Sequence, residues 1–259
     1  GAGADFSDGG AGIDTATYEY VNGGLGLTAT LDTTLGVINT GEAAGDTYIS
    51  VENLTGTQYN DILIGDAQAN FLKGGAGDDK LVGRMGADTL SGGDGNDTAS
   101  YEYDTSGVSV SLTTNVGTGG EAAGDVLISI ENLIGGSGND TFAGAAGLQA
   151  NGFDGRTGND TVSYAAATQG LVASLTTGLA GVSQTNDAAG DTFTSIENLT
   201  GTAFDDTLIG DNAANIITGG RGNNMLEGLG SADSFIGAGD IDTVSYAHSG
   251  SGVVSSLTT

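Results

Sequence analysis

The sequence predicts an all-β chain: a parallel β-roll, or β-helix solenoid, of stacked nonapeptide rows with β-rich spacers between them. Three observations carry that prediction. Glycine opens a row every nine residues, the eighth place of each row is apolar, and proline is absent. A proline inside a stacked strand would remove a ladder N–H.

Cutting from Gly56 gives GTQYNDILI, GDAQANFLK, GGAGDDKLV, GRMGADTLS and GGDGNDTAS, which fill 56–100 with nothing left over. Cutting from Gly201 gives GTAFDDTLI, GDNAANIIT, GGRGNNMLE, GLGSADSFI and GAGDIDTVS, filling 201–245. Every row has Asp or Asn sixth. The eighth column reads Leu63, Leu72, Leu81, Leu90 and Ala99, then Leu208, Ile217, Leu226, Phe235 and Val244. Self-similarity at a fixed period marks a repeat architecture in which no single row can bury its own core. Within a row, GGxGxD reads as a turn and the last three residues as a short strand whose eighth residue faces inward.

Shorter pieces keep the beat. GGAGIDTAT (9–17) is a row, and GAGADFSD (1–8) matches the last eight residues of the row before it. GGSGNDTFA (135–143) and GRTGNDTVS (155–163) are rows. The stretch between them, 144–154, carries two extra residues and is degenerate. Tyr18, Tyr101, Tyr164 and Tyr246 each follow a row directly, and β-patterned stretches come next at 27–31, 108–112, 171–175 and 253–257. AAGD then occurs at 43–46, 122–125 and 188–191, ahead of VENL or IENL at 51–54, 130–133 and 196–199. Counted back from Thr55, TYISVENLT puts Leu54 in the apolar column and Glu52 in the acid column. It therefore reads as a glycine-free opening row that caps a block.

The predicted organisation follows from these landmarks. Residues 1–17 end one block, 18–55 form a spacer with its opening row, and 56–100 form a full block. A spacer at 101–134, a short irregular block at 135–163, a spacer at 164–200, a block at 201–245 and a spacer beginning at 246–259 complete it. The chain starts inside a row and stops inside a spacer, so the repeat is expected to continue on both sides.

Charge identifies the partner. Acids outnumber bases 33 to 5, and the formal net charge is −28. Such a composition resists folding by itself and disfavours nucleic acid or an anionic membrane face. Stacking makes the repulsion worse, because rows two apart share a side and align Asp61, Asp79 and Asp97 in one column. A hard dication between turns reverses that sign. Calcium takes six to eight oxygens from carboxylates and carbonyls in flexible geometry, whereas magnesium demands a tighter octahedron. Zinc and copper would want His or Cys, and the chain offers only His248.

The rows match GGxGxDxUx, and the chain resembles the RTX (repeats-in-toxin) family of haemolysin-type nonapeptide proteins. That pattern is a known calcium-binding β-helix repeat. The resemblance implies a parallel β-roll, folding driven by several Ca2+ ions after export, and type I secretion to the cell surface or beyond. Row by row, it implies ligation by the second- and fourth-position carbonyls and the sixth-position Asp. Those positions are Gly10, Gly12 and Asp14; Gly75, Gly77 and Asp79; Gly93, Gly95 and Asp97; Gly136, Gly138 and Asp140; Gly158 and Asp160. Asp61, Asp88, Asp206 and Asp233 hold the sixth place in further rows, and row 237–245 offers Asp240 and Asp242. Strong sites are expected around Asp61, Asp79, Asp88 and Asp97. Poorer ones are expected across 210–236, where Asn215 and Asn224 replace Asp, and Asn70 is a similar departure in row 65–73.

Other features leave two readings open. Glu52, Glu131 and Glu197 are solvent-facing caps or ligands, and Asp46, Asp125 and Asp191 close turns or add a ligand. The tyrosines pack the core or edge, or offer a sugar-stacking platform at Tyr20, Tyr48 and Tyr103. His248 has no obvious partner acid and reads as a surface histidine. There is no HExxH, no Cys, no GxSxG and no P-loop, so catalysis is not expected. The expected role is a calcium-bound stalk, surface-layer, adhesin or filament segment of a secreted bacterial protein. Its partners would be further copies of the module or cell-surface polysaccharide, with no membrane insertion. The alternative is a calcium-dependent polysaccharide-binding or export module attached to an extracellular enzyme.

Overall fold

A computed structural model of the chain describes residues 3–20, 24–250, 252 and 254. Apart from Val254, the β-patterned stretch 253–257 lies outside the described residues. Twenty-five short strands among them pair almost entirely in parallel. One face of the roll is a 12-stranded sheet; 7-, 4- and 2-stranded sheets make up the other, and the chain crosses between faces row by row. The fold is an all-β parallel β-roll.

Registers confirm the two-row period. Leu54 pairs with Leu72 and Leu72 with Leu90 on the first face, while Leu63 pairs with Leu81 and Leu81 with Ala99 on the second. All six side chains are fully buried. The eighth-position residues form a thin continuous core, each large one contributing about 1.5–3 kcal/mol of transfer free energy. At the irregular block the core turns aromatic: Phe142 on one face stacks on Phe153 of the other at 6.0 Å, and Phe153 stacks on its ladder partner Phe193 of the following spacer at 6.1 Å. The two extra residues of 144–154 are absorbed in its turn, and Phe153 keeps register with Leu133.

The spacers are threaded into these same ladders. Strands predicted at 27–31, 108–112 and 171–175 form as Thr28–Thr30, Ser109–Ser111 and Val172–Ser174. Each begins the column on which the next rows stack. The chain then makes an outward arm, a single 3-10 turn and a strand that lies back on an earlier row. Among the described residues only the second arm supplies an antiparallel strand, Val116–Thr118. In the first and third spacers a side-chain amide spans that gap. Asn39 accepts from the Thr30 N–H at 2.9 Å and donates to the Asp46 carbonyl at 2.9 Å. Gln184 donates to the Asp191 carbonyl at 2.7 Å.

Two expectations about the spacers are corrected. TYISVENLT is not one row but two strands, Thr47–Ile49 and Asn53–Thr55, joined by a tight corner with Ser50 at φ 50°. Nor do the VENL and IENL strands cap a block. Leu54 sits between Ala16 and Leu72, and Leu133 between Ala99 and Phe153. The AAGD turn packs its glycine on the fifth-position alanine of the row beneath. A Cβ on Gly124 would meet the Ala87 Cβ at 2.9 Å, and Gly190 faces Ala150 in the same way.

Candidate metal centre: the acid columns at the turns

Each turn brings its sixth residue under the roll's edge, where the carboxylate lies against the row that precedes it on that edge. The Asp61 N–H donates to Asp79 Oδ1 at 2.8 Å, and the Asp79 N–H donates to Asp97 Oδ1 at 2.8 Å. Asp61, Asp79 and Asp97 thus stand in one column, as the two-row period requires. Asp140 N–H to Asp160 at 2.7 Å and Asn70 N–H to Asp88 at 2.8 Å repeat the contact. A Cβ on Gly74 would overlap Asp79 Oδ2, which is why this row must open with glycine. The Gly75 and Gly77 carbonyl oxygens occupy the places where a Cβ on Gly93 and Gly95, two rows on, would stand, so carbonyls and carboxylates share the space between turns.

The columns are buried. Asp61, Asp79, Asp88, Asp97, Asp140, Asp160 and Asp206 are all buried. Burial pushes the Asp79 carboxyl up to about 7 and Asp88 up to about 8; like charges on neighbouring acids add to it. Asp160 rises to about 6, and Asp61, Asp97, Asp140, Asp206 and Asp233 are shifted upward by the same desolvation. The Oδ2 atoms of Asp14, Asp79, Asp88, Asp97 and Asp160 are buried without any hydrogen-bond partner. An unsatisfied buried carboxylate oxygen is costly unless a cation meets it. Among the described residues no three acid or histidine groups converge on one point. The donor set is one or two carboxylates with backbone carbonyls around them, and it is all oxygen. That set fits calcium.

The remaining expected positions fall unevenly. Gly10 is left-handed at φ 80°, and Gly12 leads into Asp14, as the pattern requires. Asp242 takes the sixth-position role, accepting from the Asn224 N–H at 3.1 Å and its side-chain amide at 2.9 Å. Asp240 is exposed and accepts from the Gly222 N–H at 2.9 Å, so it stands outside the column. Asp233 accepts from the Asn215 N–H at 3.0 Å.

The spacer acids join these columns. Glu52, Glu131 and Glu197 act as column members: their Oε2 atoms accept from the N–H groups of Asp14, Asp97 and Asp160 at 2.9, 2.8 and 2.8 Å. Their corners are short, and the extra methylene of Glu spans the distance that a full turn lets Asp cover. Asp46, Asp125 and Asp191 end columns, accepting from Asp5, Asp88 and Asn151 at 2.8, 2.9 and 2.8 Å. The second oxygen of Asp46 and of Asp191 accepts from a tyrosine, whereas Asp125 Oδ2 and the Tyr101 hydroxyl are buried without a hydrogen-bond partner. Tyr18 and Tyr164 donate to Asp46 and Asp191 at 2.6 Å, and burial with the nearby Asp125 carboxylate pushes the Tyr101 phenol well above its ordinary range.

Several residues escaped the sequence reading. Arg84 pairs with Glu121 at 2.6 Å and Asp32 at 3.4 Å and lies 4.7 Å over the Tyr103 ring, tying two spacers to one turn. Tyr48 hydrogen-bonds Tyr18, so Tyr20, Tyr48 and Tyr103 do not share one role. His248 is not partnerless: Glu227 accepts from its backbone N–H at 2.8 Å and meets its Nδ1 at 3.0 Å. That pair spans 21 residues, and no short motif could have announced it. The Tyr-to-Asp contacts did leave a trace, since Tyr18, Tyr101 and Tyr164 are each followed by an AAGD segment.

Among the described residues no helix is long and apolar enough to cross a membrane. No curated protein sequence matches the chain. The family model for the RTX calcium-binding nonapeptide repeat matches residues 1–16, 51–81, 64–99, 130–148, 191–226 and 209–244, just over half of the chain. The chain is a calcium-binding repeat module of a kind typical of secreted proteins, built on a structural rather than a catalytic repeat. By the match and the geometry together, it belongs to the RTX calcium-binding nonapeptide repeat family.

Proposed function

We propose that the chain is a non-enzymatic, calcium-folded rod segment of a secreted or cell-surface bacterial protein. It serves as a stalk, surface-layer, adhesin or filament element and orders itself after type I export. The observation that carries this reading is the run of buried carboxylate oxygens without partners at Asp79, Asp88 and Asp97. Bound calcium supplies a hard dication that turns the columns' mutual repulsion into cross-links between rows. The chain's own contribution is the cradle: sixth-position carboxylates, with second- and fourth-position carbonyls such as those of Gly75 and Gly77, held by the parallel ladder. At cytosolic calcium the net charge of −28 favours the disordered state.

Support for a rod comes from continuity, because the spacers share the ladders of the rows and leave no separate compact unit. A polysaccharide-binding role draws no support from the tyrosines, which mostly serve packing and hydrogen bonding. The test is far-UV circular dichroism of the chain in EGTA and then in calcium. Strand signal is expected to appear with calcium, and a spectrum indifferent to it would overturn the reading.

A further inference from the structure

The rows fall into two kinds that the repeat pattern does not distinguish. In the first two rows after each VENL or IENL strand, the N–H of the row's own second residue donates to its sixth residue. Thr57 donates to Asp61, Gly136 to Asp140 at 2.8 Å and Thr202 to Asp206 at 2.6 Å. Asp66 donates to Asn70 at 2.8 Å, Ala145 to Asn151 at 2.9 Å and Asp211 to Asn215 at 2.9 Å. In later rows the second residue is left-handed, even where it carries a side chain. Gly75, Arg84, Gly93 and Arg156 have φ of 125°, 72°, 119° and 64°, and Gly220, Leu229 and Ala238 have 90°, 68° and 65°. No such bond then forms, and the Oδ2 atoms of Asp79, Asp88, Asp97 and Asp160 have no partner. L-residues enter that region at a cost.

The second row of each set is closed twice over. The tight glutamate corner presents a carbonyl, not an N–H, to the row stacked above it. Asn70, Asn151 and Asn215 answer with their side-chain amides, donating to the Glu52, Glu131 and Glu197 carbonyls at 2.7, 3.1 and 2.8 Å. An aspartate there would set two acceptors face to face. These asparagines are therefore not decayed calcium ligands but donors that the corner requires.

We infer that side-chain ligation of calcium begins only at the third row after each VENL or IENL strand, the first two rows being closed by the protein's own hydrogen bonds. Resting on the calcium reading above, this assigns ligand carboxylates to Asp79, Asp88, Asp97 and Asp160, with Asp14, Asp233 and Asp242 in the same class. It removes Asp61, Asp140 and Asp206, whose rows keep only carbonyls to offer.

The test counts calcium ions bound per chain by equilibrium dialysis in saturating calcium, with the fold of each full-length variant checked by circular dichroism. Asp79→Asn and Asp97→Asn should each lose at least one ion. Asp61→Asn and Asp206→Asn, in two separate blocks, should bind the same number as the unaltered chain. Asn70→Asp and Asn215→Asp should gain none and melt at lower temperature. The inference is overturned if Asp61→Asn or Asp206→Asn loses an ion as Asp79→Asn does, or if either Asn→Asp variant gains one. An unaltered chain that binds no calcium would instead overturn the parent reading, and this inference with it.

Discussion

The Tyr164 hydroxyl donates to Asp191 Oδ2 at 2.6 Å across 27 residues, while Asp191 Oδ1 accepts from the Asn151 N–H at 2.8 Å. A column of acids thus ends on a phenol, and the last carboxylate is satisfied by protein alone. Tyr164→Phe leaves that buried oxygen without its donor, at a cost of about 1–3 kcal/mol. The expected outcome is a lower melting temperature in saturating calcium with an unchanged number of bound ions. Loss of an ion on this substitution would show that Asp191 is a ligand.

Acid should partly replace calcium. Folded-state carboxyls at Asp79 (about 7), Asp88 (about 8), and Asp125 and Asp191 (about 6) lie above the ordinary value of 3.8. The folded chain therefore binds more protons than the unfolded one in this range, and metal-free stability falls as pH rises. The contribution is fully present below about pH 4 and is lost as pH climbs through 6 to 8. Strand signal in EGTA is expected to rise on acidification from pH 8 to pH 5, measured by circular dichroism. A metal-free chain equally disordered across that range would contradict the burial that raises these groups.

The core column should be sensitive where the surface is not. Leu81 is completely buried between Leu63 and Ala99, and truncating such a leucine to alanine costs about 2–5 kcal/mol. Met85, four residues on, is 62% exposed, and Met85→Ala should fall within about 0.5 kcal/mol of neutral. Thermal melts of the two variants in calcium give the comparison.

Arg84 and Arg156 hold the same place in their rows but should differ in worth. The Arg84 side chain is 18% exposed and its partner Glu121 8%. Breaking a buried pair from one side costs on the order of 3 kcal/mol, because the abandoned carboxylate stays buried. The Arg156 side chain is 43% exposed against Glu102, and exposed pairs contribute about 0–1 kcal/mol. Arg84→Ala should therefore lower the melting temperature clearly and Arg156→Ala hardly at all. The Arg156 effect should also fade at high salt, since only exposed charges are well screened.

The sequence by itself determined the nine-residue row, the inward eighth residue, the alignment of acids two rows apart and the oxygen-rich donor set that selects calcium. These follow from short-range periodicity, and Leu54, Leu72 and Leu90 stack where that period puts them. Tertiary structure alone decided how the spacers enter. Tyr18 and Tyr164 leave strands of the 12-stranded face, whereas Tyr101 leaves the opposite one, because row parity sets the exit side. It also decided which sixth residues are free and which are spent. Asn70 and Asp79 look like a weak and a strong copy of one motif. What separates them is the direction of a peptide group: the Glu52 corner offers Asn70 a carbonyl, while row 56–64 offers Asp79 an N–H. Residue spacing does not encode that direction; it is fixed only when the corner packs against the row.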